Sequence, residues 1–182
     1  IALIHYPVKN KTGEIIGSAV TNLDLHEIAR AARTYGVNRY FVATPFADQK
    51  ALVKEITDHW QTGHGARSNP ARGEALAIVR VAATLDDIVA EVSNIHGTDP
   101  FLVVTSARKQ SDTIDYIEVR SLLENKRPVL LVFGTAHGLA DEVMNKADGV
   151  LPPISGDSGY NHLSVRSAAS IILDRLCGNY IK

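Results

Sequence analysis

One cysteine, one methionine and one tryptophan stand among 182 residues, and only 6% of the chain is aromatic. The lone thiol, Cys177, excludes an internal disulfide and gives no metal-ligand spacing, so the expected compartment is the reducing cytoplasm. Charge of one sign is also lacking, since 19 basic and 20 acidic residues leave a formal net charge of −1. Any phosphate-bearing partner must therefore be met by local patches and not by a global field. No apolar run reaches the roughly 20 residues of a membrane span, and no signal peptide is read at Ile1, so no membrane association is expected. The histidines (His5, His26, His59, His64, His96, His137, His162) include no pair four apart on a helix face, and no metal is expected. There is no Gly-x-Ser-x-Gly nucleophile elbow, and no P-loop ending in Lys-Ser or Lys-Thr. The glycine turn that a dinucleotide fold carries after its first strand is absent too.

What the chain does have is alternation. Short apolar runs read as strands at 2–6, 39–45, 75–83, 101–107, 128–135 and 149–154. Helical periodicity fills the gaps at 23–37, 47–63, 85–97, 115–126, 139–147 and 162–178. Leu25, Ile28, Ala29 and Ala32 share one face of the first helix, and Thr84 is the expected cap of the third. Near-continuous apolar strands between helices predict an α/β fold around a buried parallel sheet, in one domain over 1–182. One segment breaks the rhythm. "QTGHGARSNPARGE" (61–74) reads as a long exposed loop, either a mobile connection or a functional one.

The stretch "LVFGTAHGL" (131–139) runs a strand into a turn with Gly134 and Gly138 four apart. It comes unusually late. Parallel strands finish on one side, so this turn should lie beside Thr105–Ser106 and the stretch "LPPISGDSGYNHLS" (151–164). Ligands of open α/β sheets bind at that edge. Loops rich in Gly, Ser and Pro would surround a flat, partly apolar ligand such as an adenine-containing cofactor; alternatively, Gly134 and Gly138 only shape a tight turn.

The order strand–VFGTAHGL–helix–VLPPISGDSGYNHLSVRSAASIIL resembles the second and third motifs of the SPOUT superfamily, the knotted α/β RNA methyltransferases. "TNLDLHEIARAARTYGV" (21–37) is similar to the first motif of its SpoU branch. Departures are visible: Ala136 replaces the acidic residue of F-G-S-E, Leu151-Pro152-Pro153 stands for I-P-M, and the S-L-N positions fall on Tyr160, Asn161 and His162. Asp24 takes the place of the usual Asn before the arginine.

The resemblance implies a Rossmann-like parallel sheet with a C-terminal trefoil knot holding S-adenosyl-L-methionine, mainly by main-chain groups of the late loops. Those are Thr105, then Gly134, Thr135 and Gly138, then Leu151, Pro152, Ile154, Leu163 and Ser164. It implies methyl transfer to a nucleotide of tRNA or rRNA, on ribose or base. Arg30 aligns with the arginine placed beside the acceptor, and it reads as a positioning or polarising group or as a solvent-facing helix residue. Being always charged, it is poorly suited to act as a base. Tyr160 and His162 read as a proton acceptor and stacking platform, or as structural residues. His137 reads as a turn residue. Asp24 reads first as the cap of its helix and second as an anchor for Arg30. RNA contacts fall to Arg33, Arg39, Arg67 and Arg72. A homodimer packed through the first and last helices is implied as well. The alternatives from other classes are an RNA-binding protein of the same fold without chemistry, and a nucleotide-dependent enzyme of small metabolites.

Overall fold

The computed structural model describes residues 1–179. In chain order the elements are β1 (Ala2–Ile4), β2 (Val8–Lys9), β3 (Ile15–Ile16), α1 (Asn22–Thr34), β4 (Tyr40–Ala43), α2 (Ala47–Gln61), α3 (His64–Ser68) and α4 (Pro70–Leu76). They continue as β5 (Val79–Ala82), α5 (Leu85–His96), β6 (Phe101–Thr105), α6 (Tyr116–Glu124), β7 (Val129–Gly134), α7 (Asp141–Met144), β8 (Gly149–Leu151) and α8 (Val165–Cys177).

The main sheet has the order β5-β4-β1-β7-β6-β8, with all its pairings parallel. Successive strand residues point to opposite faces, and both faces are covered. Leu3, Tyr40, Val42, Val103, Leu131 and Phe133 meet α1 and α8 on one side. Ile4, Phe41, Leu102, Val104 and Val132 meet Leu85 and Ile88 of α5 and Val143 of α7 on the other. Two-sided burial is why these strands read as unbroken apolar runs. The face of Leu25, Ile28, Ala29 and Ala32 on α1 is buried as expected.

The helix starts follow local chemistry. The Thr84 hydroxyl accepts from the Asp87 amide, and Asp87 reaches back to the Thr84 amide, closing a capping box. Ser164 caps α8 by accepting from Ser167 N at 3.3 Å. Thr21 caps α1 by accepting from Asp24 N at 3.1 Å, which corrects the reading of Asp24 as the cap. Asp24 sits inside the first turn instead.

The largest departure from expectation is at 61–74, which is not a loop. α3 and α4 occupy it, with Asn69 capping α4 and Pro70 at its first position, the arrangement proline favours. Gly65 and Gly73 serve packing here. A Cβ on Gly73 would come within 2.5 Å of the Trp60 carbonyl oxygen, and one on Gly65 within 2.7 Å of the Trp60 ring. The third strand is correspondingly shorter than 75–83, because Ala75 and Leu76 close α4. The β2–β3 hairpin between β1 and α1 was not anticipated.

Candidate active site

The ends of β1, β7, β6 and β8 lie side by side, and the loops that leave them form one edge of the sheet. The turn after β7 is tightly held. Gly134 pairs in register with Ile4, and a Cβ on it would lie 2.9 Å from both Leu139 Cγ and Leu139 N. Ala136 has φ +52° and Gly138 φ +114°. A left-handed residue other than glycine is uncommon and carries strain, so the surroundings must enforce it. They do so through the hairpin: His137 N donates to the Lys9 carbonyl at 3.0 Å, and Lys9 N donates to the Gly138 carbonyl at 2.8 Å.

A chain of hydroxyls fixes Thr135. Its Oγ1 donates to the Ile4 carbonyl at 3.0 Å, which leaves it to accept from Ser18 Oγ. Ser18 Oγ in turn faces His5 Nδ1 at 3.0 Å. The Ser18 hydroxyl also lies 3.4 Å from the His5 carbonyl. His5 Nε2 is buried without a hydrogen-bond partner. Burial pushes the His5 pKa down, against the nearby Asp24 carboxylate, so the ring is held neutral.

The loops after β6 and β8 leave the same edge and are tied to each other. Thr105 Oγ1 donates to the Val132 carbonyl at 3.1 Å, joining β6 to β7. Asn161 Nδ2 donates to the Ala107 carbonyl at 2.9 Å, tying the stretch after β8 to the loop after β6. Leu151 is buried, Pro152, Pro153 and Ile154 are half-buried, and Leu163 is exposed. Tyr160, 72% exposed, stands edge-to-face with His162 at 6.4 Å. Arg108 and Lys109, both exposed in the loop after β6, add positive charge to this edge. Sequence reasoning passed over them, although "SARKQ" directly after an apolar strand was the available signal.

The arginines lie elsewhere. Arg30 is exposed in α1 and pairs with Glu27 at 2.9 Å. Asp24 does not anchor it: the Asp24 carboxylate accepts from Arg166 of α8 at 2.8 Å instead. Arg33, in the last turn of α1, bonds Glu74 of α4 through Nε and Nη2. Arg39 directly precedes β4, so it sits at the starting edge of the strands, opposite the loops. Arg72 packs its guanidinium over Trp60 at 4.7 Å, and Arg67 is exposed on α3. Arg33, Arg39, Arg67 and Arg72 therefore belong to the end of the molecule remote from the three loops.

A doubly covered parallel sheet with loops gathered at the carboxyl ends of its strands defines an open α/β protein, whose ligands bind at that edge. The family follows from comparison: residues 1–178 match the SAM-dependent RNA methyltransferase family, and the chain belongs to it. A protein of Oleidesulfovibrio alaskensis named tRNA (guanine-N(1)-)-methyltransferase is 46% identical over 178 residues, covering 98% of this chain but 41% of the relative. The chain thus spans about two fifths of that relative's length. An uncharacterized protein of Aquifex aeolicus is 42% identical over 97% of this chain and 86% of its own. Among solved structures, TrmJ from Z. mobilis superposes with a TM-score of 0.62 at 16% identity, over 97% of this chain and 67% of that one. The SpoU methyltransferase AviRb from Streptomyces viridochromogenes, in complex with AdoMet, gives 0.59 at 19% identity, over 97% and 55%. At such identities these two establish likeness of fold.

The chemistry of the loops fits S-adenosylmethionine. A purine needs apolar walls and hydrogen-bonding groups at its rim; Pro152, Ile154 and Leu163 are of the first kind, and the main chain around Thr105 and Gly134–Gly138 is of the second.

Proposed function

We propose that this chain is the methyl-transferring unit of an RNA methyltransferase that uses S-adenosyl-L-methionine and acts on tRNA. The observation that carries it is the gathering of three late loops at one sheet edge, in a chain matched to the family over residues 1–178. In this reading Thr105, Gly134, Thr135, Gly138, Leu151, Pro152, Ile154, Leu163 and Ser164 hold the cofactor within a trefoil knot of a single α/β unit, 1–182. Bound there, the cofactor supplies an electrophilic methyl group on a sulfonium centre.

The chain's own task is to place the acceptor atom in line with the methyl–sulfur bond and to take up the proton that leaves it. His162 accepts that proton, because an imidazole is a competent base near neutral pH, and Tyr160 packs against the acceptor base. Arg30 positions a phosphate beside the site. Arg33, Arg39, Arg67 and Arg72 contact RNA further away, and a homodimer through α1 and α8 brings Arg30 of one copy near the loops of the other. The setting is the cytoplasm. Among the described residues no helix is long and apolar enough to cross a membrane.

Guanine N1 as the acceptor is proposed from the Oleidesulfovibrio alaskensis relative, whose name covers a protein of which this chain matches 41%. The test is calorimetric titration with S-adenosylmethionine, with NAD as the control ligand, followed by methyl incorporation into tRNA and rRNA from a strain lacking the protein. Micromolar binding of the first ligand alone, with label entering tRNA, is expected. Cofactor binding with label in neither RNA would move the methylation of the large relatives to the rest of their length.

A further inference from the structure

Two aromatic side chains stand at the same edge, on the side of β1 away from the loops after β6 and β8. Tyr6 follows β1 and Phe46 follows β4, the parallel neighbour of β1. Their rings meet edge-to-face, centroids 5.8 Å apart and planes inclined at 71°. In a chain with 6% aromatic residues, both are left open, Tyr6 at 39% and Phe46 at 42%. The fold goes to some length to keep them there. A Cβ on Gly17 would overlap Phe46 Cε2 and lie 2.7 Å from Cζ, so the ring occupies space that only glycine leaves vacant. Gly17 itself is placed by β3 and by the next residue, Ser18, whose amide donates to the His5 carbonyl at 2.8 Å. The α2 helix that Phe46 begins is fastened to the same segment, because Val20 N donates to Gln49 Oε1 at 2.7 Å.

We infer that the Tyr6–Phe46 corner is a stacking platform for an unstacked nucleobase of the RNA substrate. Two rings set at a steep angle offer one face for a base and one edge against its rim. RNA is read through splayed bases stacked on aromatic side chains, and a base that receives a methyl group must first leave its stack. Continuity with the site supports this occupant. β1 pairs with β4 on one side and with β7 on the other, so one strand separates the corner from the Gly134 turn. The hairpin joins the two, since Lys9 bonds the turn and Ile16 adjoins Gly17. Exposed Lys11 on the hairpin supplies a positive charge for the phosphate of the stacked nucleotide. Glu14, at the same tip, is held ionised by hydrogen bonds from Asn10 and Thr12, so the tip carries both signs of charge.

The inference rests on the RNA methyltransferase reading, and the experiment separates the two. Tyr6→Ala, Phe46→Leu and Gly17→Ala are made in the full chain, the last to displace the Phe46 ring without removing it. Ile95→Ala, exposed in the last turn of α5 at the edge where the strands begin, is the control. Stacking on an aromatic ring predicts a rise in KM for tRNA of about 5- to 150-fold in each of the three, with the S-adenosylmethionine Kd unchanged and the control like the parent. A fourth variant, Tyr6→Trp, reports contact directly: its emission above that of Trp60 should be quenched when tRNA is added, whatever the truncations do to folding. Methylation of tRNA with an unmoved KM in folded variants, or with no quenching in Tyr6→Trp, overturns the corner and leaves the methyltransferase reading standing. Cofactor binding with no RNA bound or methylated by the parent chain defeats both.

Discussion

Arg166→Met should destabilise the protein more than Asp24→Asn, although both remove the same ion pair. The pair joins the first turn of α1 to the first turn of α8, 142 positions apart, at 2.8 Å. Its ends are unequal: the Asp24 side chain is 9% exposed and the Arg166 side chain 35%. Exposed ion pairs contribute under about 1 kcal/mol, whereas removing one member of a buried pair costs about 3–5 kcal/mol, because the other charge stays desolvated. Arg166→Met keeps the side-chain stem and takes away the charge. Asp24 is then left with the Thr21 hydroxyl, which donates to it at 2.6 Å, and the start of α1. A loss of about 2 kcal/mol is expected, between the two limits, or about 4–8 °C in Tm for a chain of this size. Asp24→Asn leaves a guanidinium that water already reaches, and should cost about 1 kcal/mol.

Urea unfolding followed by circular dichroism gives both values, and the double variant gives the coupling between them. Since α8 is capped by Ser164 at the end of the loop after β8, Arg166→Met should also weaken cofactor binding. Equal losses below about 0.5 kcal/mol, the range of an exposed pair, would refute the reasoning. So would a reversed order.

Three further outcomes are expected. Burial lowers the pKa of both His5 and His26, with the charge of Arg72 adding to the effect at His26. The folded state therefore favours the neutral rings, so stability is full above the unfolded value of about 6.5 and falls as pH drops below it. Unfolding measured from pH 7.5 down to 5 should show this decline, and His26→Gln should flatten part of it. Gly134→Ala brings a Cβ to 2.9 Å from the Leu139 amide nitrogen. Such overpacking costs about 1–3 kcal/mol, and titration should find cofactor affinity reduced at least about tenfold as the turn shifts, given that 1.4 kcal/mol is one decade. Trp60→Leu loses the Arg72 contact at 4.7 Å and the edge contacts of His26 and His59. A loss of about 2–3 kcal/mol is expected from the smaller side chain and the lost cation–π contact, read by thermal melting.

The sheet was legible because a strand buried on both faces is apolar throughout, as in Phe101–Thr105 and Val129–Gly134. The segment 61–74 was not, because its glycines were taken for turns. Gly65 and Gly73 are contact points for Trp60 and Gly63 for the His59 main chain, facts of packing that no local pattern carries; Asn69–Pro70 was the one legible sign of a helix start. The hairpin escaped notice because strands of two residues are too short for periodicity to show. Within the candidate site, the late glycine turn was readable, and so was the edge it shares with 105 and 151–164. Which edge Arg33, Arg39, Arg67 and Arg72 occupy depends on the direction in which each helix returns along the sheet. The partner of Asp24 could not be read at all, since Arg166 reaches it only when α8 lies beside α1.

The strand order has a consequence for synthesis. β1 precedes the other strands in sequence, yet it ends in the interior of the sheet, between β4 and β7. Its first neighbour, at 40–43, follows soon; the second, at 129–134, follows only after five further helices and two further strands have been made. Until then β1 presents an apolar, unpaired edge, the kind of surface that nascent chains must keep from joining one another. Pairings so distant in sequence also close slowly. Completion of this sheet is therefore gated by the residues around 129–134, and a ribosome stalled before they emerge would hold out a half-sheet in need of a chaperone.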